Sequence, residues 1–218
     1  MARDSNAGTL LVISASDDLG PALEVIESGG IIAFPTETSY GLGADPYNEE
    51  ALKRLFSLKG RPLDKPLSLL AGDMDMVRSL VTTITPLAQR LIKKFWPGPL
   101  TLVLEAAEDT PSLVTSDDGG KRKIGIRISS HPLCHRLLLA LGRPLTATSA
   151  NPAGMPPALD AAEVKGYFGQ RLDLVIDSGR LEKGQPSTIV DARGPAPLVL
   201  REGRIKKEEI LARSASLD

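Results

Sequence analysis

The sequence predicts an α/β fold in which a mixed, twisted, open sheet is flanked by helices. Three observations predict it. The runs Gly30 to Pro35 and Leu100 to Leu104 are almost wholly apolar, as in strands buried on both faces. The run Ile124 to Ile128 alternates, with Ile124, Ile126 and Ile128 on one face and Gly125 and Arg127 on the other. Helical patterns lie between such runs but not in strict alternation, which argues against a regular doubly wound sheet.

The elements follow in order. Thr9 to Ile13 reads as a strand. Asp17 or Asp18 caps a helix to about Ser28, with Leu19, Leu23 and Ile26 on one face and Gly29-Gly30 as its stop. After the strand Gly30 to Pro35, Asn48 caps a second helix with Leu52, Leu55 and Phe56 on one face. Leu67 to Leu70 is a short strand, and Asp73 opens a helix through Leu80. Pro86 to Phe95 is a helix stopped by Trp96-Pro97-Gly98-Pro99. Pro132 to Leu141 is helical, and Leu145 to Thr148 is a strand entering the turn Ser149-Ala150-Asn151-Pro152. Ala161 to Phe168 is a helix. Leu174 to Ile176, Thr188 to Val190 and Leu198 to Leu200 are strands, and Glu208 to Arg213 closes the pattern. Ala106 to Lys123 is polar and glycine-rich and reads as an exposed loop. There is no linker of domain-separating length, so residues 9–210 are expected to form one domain.

Bulk properties exclude several classes. The chain has 218 residues, of which 42% are hydrophobic and 24% charged, as in ordinary globular proteins. A net charge of −1 supplies no global field for nucleic acid, although a local basic patch remains open. One cysteine, Cys134, and two histidines make a structural zinc site improbable, and no metal ligands are assigned. Met1 to Gly8 lacks the apolar core of a signal peptide, and no apolar run is long enough to span a bilayer. No membrane association is expected, and the expected location is cytoplasmic.

Five segments carry polar chemistry. Phe34-Pro35-Thr36-Glu37-Thr38-Ser39-Tyr40-Gly41-Leu42-Gly43 follows the buried strand with hydroxyls and glycines, which can present backbone and hydroxyl groups to a ligand. Lys59-Gly60-Arg61-Pro62-Leu63-Asp64-Lys65-Pro66 is a proline-stiffened cationic loop suited to a polyphosphate, or simply a set of cations at a helix C-terminus. Arg127 stands on a strand beside Gly125, where it can lie over a ligand or face solvent, and His131 follows it. Ser149 and Asn151 can hold a nucleotide or close a turn on their own backbone. Ser187-Thr188-Ile189-Val190-Asp191 begins a strand with hydroxyls, and Arg201 ends one.

Taken in this order, the segments resemble the threonylcarbamoyl-AMP synthase family, over about Thr9 to Ile210. The most specific parts are Pro35 to Gly43, Lys59-x-Arg61, Trp96-Pro97-Gly98-Pro99-Leu100-Thr101, Ser149-Ala150-Asn151 and Ser187 to Asp191. The chain looks like the short form, without an extra C-terminal domain. The resemblance implies a YrdC-like sheet with a concave, positively charged pocket. It implies a nucleotidyltransferase that joins L-threonine, bicarbonate and ATP into threonylcarbamoyl-adenylate and pyrophosphate. A partner complex then transfers the threonylcarbamoyl group to tRNA. Mg2+ would accompany ATP, held mainly by phosphates and water.

By the same resemblance, Thr36, Arg127, the backbone at Ala147 and Ser187 meet L-threonine. Lys59 and Arg61 hold the ATP phosphates, with Lys65 at the end of the loop. The backbone near Lys123, the side chain of Ser149, and Arg201 meet the nucleotide, and Asn151 completes the turn. Two positions depart from the pattern. Leu70 stands where some members carry a histidine, and Pro157 where some carry a serine. Two other readings fit the same residues: a YciO-type paralogue with a different activity, and a module that binds double-stranded RNA or tRNA weakly through phosphates.

Overall fold

The computed structural model describes residues 10–215. The expected strand residue Thr9 and the segment Met1 to Gly8 lie outside them. Twelve strands form one mixed sheet in which parallel and antiparallel pairs both occur. They are β1 (Leu11–Ser14), β2 (Ile32–Pro35), β3 (Tyr40–Gly43), β4 (Ser68–Leu70), β5 (Val81–Thr83), β6 (Leu100–Ala106), β7 (Ser116–Asp118), β8 (Lys121–Arg127), β9 (Leu145–Ser149), β10 (Leu174–Asp177), β11 (Thr188–Asp191) and β12 (Leu198–Arg201). Their order across the sheet is β1-β10-β2-β3-β9-β4-β8-β6-β11-β12, with β5 added to β6 and β7 to β8. The helices are α1 (Gly20–Glu27), α2 (Glu49–Lys59), α3 (Met74–Leu80), α4 (Pro86–Phe95), α5 (Pro132–Leu141), α6 (Ala161–Phe168) and α7 (Lys207–Ala215).

Four helices are capped by an asparagine, aspartate or threonine side chain, at Asn48, Asp73, Thr85 and Asp160, whereas His131 before α5 makes no such bond. Asn48 accepts a hydrogen bond from the Ala51 amide at 3.0 Å, Asp73 from Met76 at 2.8 Å and Asp160 from Glu163 at 2.8 Å. The first helix differs from expectation. Asp18 accepts from the Gly20 amide, but Asp17 caps the end of β1 through the Ser14 amide, and α1 begins at Gly20 with Pro21 in its first turn. Gly60, at φ 61°, takes the left-handed conformation that stops α2 and turns the chain into the cationic loop.

The helices bury two apolar clusters. One gathers Leu52, Leu55, Val77, Leu91, Val164 and Ile210 with the inner residues of β3, β4, β6 and β8. The other joins Leu19, Ala22 and Ile26 of the α1 region to Leu133, Cys134 and Leu137 of α5. Cys134 is buried, as a lone apolar-flanked cysteine should be, and burial pushes its thiol up to about 12.

Three strands were not foreseen. β3 lies inside what read as a polar turn, β5 is a three-residue strand in the stretch between the helices ending at Leu80 and starting at Pro86, to which the sequence pattern assigns no element, and β7 is a three-residue strand in a segment read as a loop. The two glycines hid β3. A Cβ on Gly43 would stand 2.5 Å from the Leu145 side chain and 2.7 Å from the Phe34 ring, so this strand packs only because the side chain is missing.

Candidate functional site

The segments picked out by sequence converge on one hollow of about 690 Å³. This is within the range of small-molecule sites. Its floor is the antiparallel trio β3, β9 and β4, where Gly41 pairs with Ser149 and Ser68 with Ala147. The turn between β2 and β3 supplies Thr36, Thr38 and Ser39. The loop after α2 supplies Arg61, β6 supplies Thr101, β8 supplies Arg127, and the start of β11 and end of β12 supply Ser187 and Arg201. Gly125 has a different part from the one expected. A Cβ there would lie 2.9 Å from Ser68 Oγ and 3.4 Å from Thr101 Cγ2, so the glycine lets two lining hydroxyl residues close over β8.

Thr36, Arg61, Arg127, Ala147, Ser149, Ser187 and Arg201 therefore line one cavity, together with the two departures Leu70 and Pro157. Lys59, Lys65, Lys123 and Asn151 are outside its wall. Lys65 is exposed, and only its carbonyl points inward along the loop, accepting from Arg61 Nε at 2.7 Å. Lys123 pairs with Asp118 at 3.2 Å across the β7–β8 hairpin. Asn151 donates through Nδ2 to the Pro152 and Met155 carbonyls, which is the turn-forming role.

Lys59 has its own place. It is 6% exposed, and its ammonium donates to the Ser149 carbonyl, to the Asn151 carbonyl at 2.9 Å and to Asn151 Oδ1 at 3.2 Å. All three ammonium protons are thus directed at one turn. Ser149 Oγ adds a bond to Asn151 Oδ1 at 2.6 Å. Burial, and then the neighbouring Arg61 guanidinium, push the Lys59 ammonium down to about 8.

The hollow is cationic. Among the described residues Arg61 is held only by the Lys65 and Pro66 carbonyls, and Arg201 only by the Ser187 carbonyl and hydroxyl, at 2.8 and 3.1 Å for Nη2. Arg201 keeps solvent access, yet desolvation and then the charges of Arg127 and Arg61 lower its pKa. The influence of those two charges on Arg201 is the electrostatic mark of three arginines around one space.

Several lining or supporting residues were not singled out by sequence. Arg180 and Lys183 come from the segment between β10 and β11. Arg180 is tied to Asp160 and Glu163, and Lys183 is exposed. The Tyr40 hydroxyl anchors the start of that segment, donating to the Gly179 carbonyl at 3.0 Å and accepting from the Ser178 amide at 2.9 Å. Glu37 stands directly behind the wall, bonded to both Arg127 and Ser129. The available signal was a single acid in an otherwise hydroxyl-rich turn after a buried strand. His131 does not line the hollow; its Nδ1 is buried without a partner among the described residues, and burial lowers its pKa.

Among the described residues no group of three or more histidine, cysteine, aspartate or glutamate side chains could hold a metal ion. Among the lining residues Glu163 is the one carboxylate, and it is bonded to Arg180. The donor set suits anions. Among the described residues no helix is long and apolar enough to cross a membrane.

The Sua5–YciO–YrdC family model, described as telomere recombination, matches residues 24–203. A threonylcarbamoyl-AMP synthase of Pyrococcus abyssi is 40% identical over 185 residues, which are 85% of this chain and 54% of that one. This chain thus spans about half of that relative's length. The structure of the P. abyssi protein Sua5 complexed with L-threonine superposes with a TM-score of 0.84 at 35% identity, covering 94% of this chain and 61% of that one. A threonylcarbamoyl-AMP synthase of Marinobacter nauticus is 37% identical over 79% of this chain and 90% of its own length. Escherichia coli YciO superposes with a TM-score of 0.83 at 27% identity, covering 94% of this chain and all of that one. With the family model matching most of its length, this chain belongs to the Sua5–YciO–YrdC family.

Proposed function

We propose that this hollow forms threonylcarbamoyl-adenylate from L-threonine, bicarbonate and ATP, releasing pyrophosphate. The chain is a threonylcarbamoyl-AMP synthase, a nucleotidyltransferase of tRNA modification. The observation that carries the reading is the gathering of Arg61, Arg127 and Arg201 around a space lined with hydroxyls. The bound threonine of the similar P. abyssi structure supports it.

The chemistry joins two anions. The threonine amine and bicarbonate give a carbamate and water. A carbamate oxygen then attacks the α-phosphorus of ATP, the P–O bond to the β-phosphate breaks, and pyrophosphate leaves. Two unit negative charges about 4 Å apart repel by about 4 kcal/mol at an effective dielectric near 20. Arginines already in place lower that barrier, and because the nucleophile is charged, positioning and neutralisation do most of the work. Arg61 and Arg201, which have no carboxylate partner among the described residues, hold the phosphates. Arg127, with Thr36, Ser187 and the backbone at Ala147, receives threonine. Ser149 meets the nucleotide on a turn held by Lys59 and Asn151. The protein donors around the hollow are chiefly cations and hydroxyls, so Mg2+ would be held by the ATP phosphates and water, where it would offset their charge. The product passes to a tRNA-modifying threonylcarbamoyl transferase complex, and the reaction belongs in the cytoplasm, where ATP and tRNA meet.

The test is threonine-dependent pyrophosphate release from ATP in bicarbonate buffer, with serine as control. Turnover with threonine well above serine supports the synthase; equal consumption with either, or with none, returns the chain to a YciO-type activity. RNA binding that falls steeply with salt, without ATP turnover, would favour the RNA-binding reading instead. Arg61→Ala should raise the ATP Kd by about tenfold or more and leave the folding transition in place, because a phosphate contact is lost from a loop. Unchanged nucleotide affinity in a calorimetric titration would remove Arg61 from the site.

A further inference from the structure

We infer that Glu37, fixed by Ser129, is a positioning residue that sets the orientation of the Arg127 guanidinium and thereby the protein's affinity for its amino-acid substrate. The inference rests on the reading that Arg127 receives threonine.

Arg127 is held at two levels. Its backbone is set by the sheet: Arg127 pairs with Leu70 of β4, and its carbonyl accepts from the Ala71 amide at 3.0 Å. Its guanidinium is set by Glu37 alone among the described side chains. Nη1 donates to Glu37 Oε1, and both side chains are 9% exposed. The other carboxylate oxygen is occupied too, since Ser129 Oγ donates to Glu37 Oε2. The Glu37 backbone is tied down in turn, its carbonyl accepting from Arg204 Nη1 at 3.1 Å. On either side of Glu37, Thr36 and Thr38 hold each other hydroxyl to hydroxyl at 3.1 Å. A buried carboxylate with both oxygens engaged, on a turn fixed at both flanks, leaves the guanidinium little freedom to rotate.

Arginine has five N–H donors in a planar fork. A carboxylate on one side of that fork directs the remaining donors elsewhere, and Arg127 lines the hollow. Position matters more here than charge. A guanidinium that swings by about 1 Å loses the second bond of a bidentate contact with a carboxylate while remaining a cation nearby. ATP has other cations, Arg61 and Arg201, so disturbance of Glu37 should be felt by threonine and much less by nucleotide.

The experiment titrates L-threonine and ATP separately into the purified parent chain, Glu37→Gln, Ser129→Ala and Arg127→Lys, and records thermal unfolding of each. Glu37→Gln keeps the shape and one acceptor but loses the charge, and should raise the threonine Kd by about tenfold with the ATP Kd within about twofold. Ser129→Ala keeps the ion pair and frees one carboxylate oxygen, and should raise the threonine Kd by about threefold with the cooperative transition retained. It decides the matter if Glu37→Gln fails to fold. An unchanged threonine Kd in the folded variants, or equal loss of both ligands, overturns the positioning role, since a merely structural glutamate would lower the melting temperature without this split. Arg127→Lys keeps the charge but not the fork. If it loses threonine while Glu37→Gln and Ser129→Ala do not, Arg127 remains a threonine ligand and only the role of Glu37 fails. If Arg127→Lys binds threonine as the parent does, Arg127 is not a forked threonine ligand, and the inference falls with that reading.

Discussion

Lys59→Met should lower kcat/KM for ATP by about a hundredfold, with little loss of fold stability. The ammonium supplies three charge-assisted bonds to the turn carrying Ser149 and Asn151. Removing it leaves two carbonyls and one amide oxygen without that donor, and the turn at the mouth of the proposed nucleotide site loosens. Stability changes less, because the burial cost of the charge disappears with it. The same residue predicts opposite pH trends for binding and for folding. Its folded pKa is about 8, below the ordinary lysine value. The neutral amine has two protons for three acceptors, so ATP affinity should fall as pH rises through about 8. In the unfolded chain the group keeps its proton to its ordinary value of about 10.5. Between these values the unfolded state binds more protons, so the Lys59 contribution to stability is at its least below about 8 and increases as pH rises. The checks are ATP titrations and denaturant midpoints at matched pH in the parent and in Lys59→Met, where both trends attributable to this group should be absent. ATP affinity that is flat from pH 7 to 9 in the parent would remove the ammonium from the machinery.

Strand and helix identities were legible where the period was clean and the ends were capped. Pro86–Phe95, Pro132–Leu141 and Ala161–Phe168 agree with expectation at both ends, because Pro86 and Pro132 open two of them and Asp160 caps the third. The misses have local causes. Tyr40–Gly43 contains two glycines and so reads as a turn, yet the space around Gly43 is filled by Leu145 and Phe34 from other strands, which no local window can show. Ser116–Asp118 is polar because it lies on the outer edge of β8. The cavity wall was legible in its arginines and hydroxyls. What was not legible is which cations face the hollow. Lys59 and Arg61 are two residues apart, but the helix ends between them, and Gly60 at φ 61° sends Arg61 to the cavity while Lys59 stays packed against the turn. Arg127 was open to two readings from its strand, one of them an arginine on a solvated face. Its 7% exposure follows from Glu37, a partner 90 residues away that the alternating pattern of one strand cannot reveal.

That same distant pair gives the largest expected effect on stability. Arg127→Ala should destabilise the protein by about 3–5 kcal/mol, because Glu37 is left as a buried charge with only Ser129 beside it. For a chain of this size the melting temperature should drop by roughly 10 °C. Replacing both members, as in Glu37→Met with Arg127→Met, should recover most of that loss, since two well-packed apolar side chains do not carry the desolvation cost of two ions. Urea midpoints of the two single variants and the double variant measure the coupling directly. A double variant no more stable than Arg127→Ala would mean that the site cannot accept apolar packing and that the ion pair is needed for the fold. A recovered double variant that still fails to bind threonine would mean the reverse. The pair would then be kept at a cost to stability because the hollow needs an oriented cation, and the buried glutamate is what allows that cation to sit there.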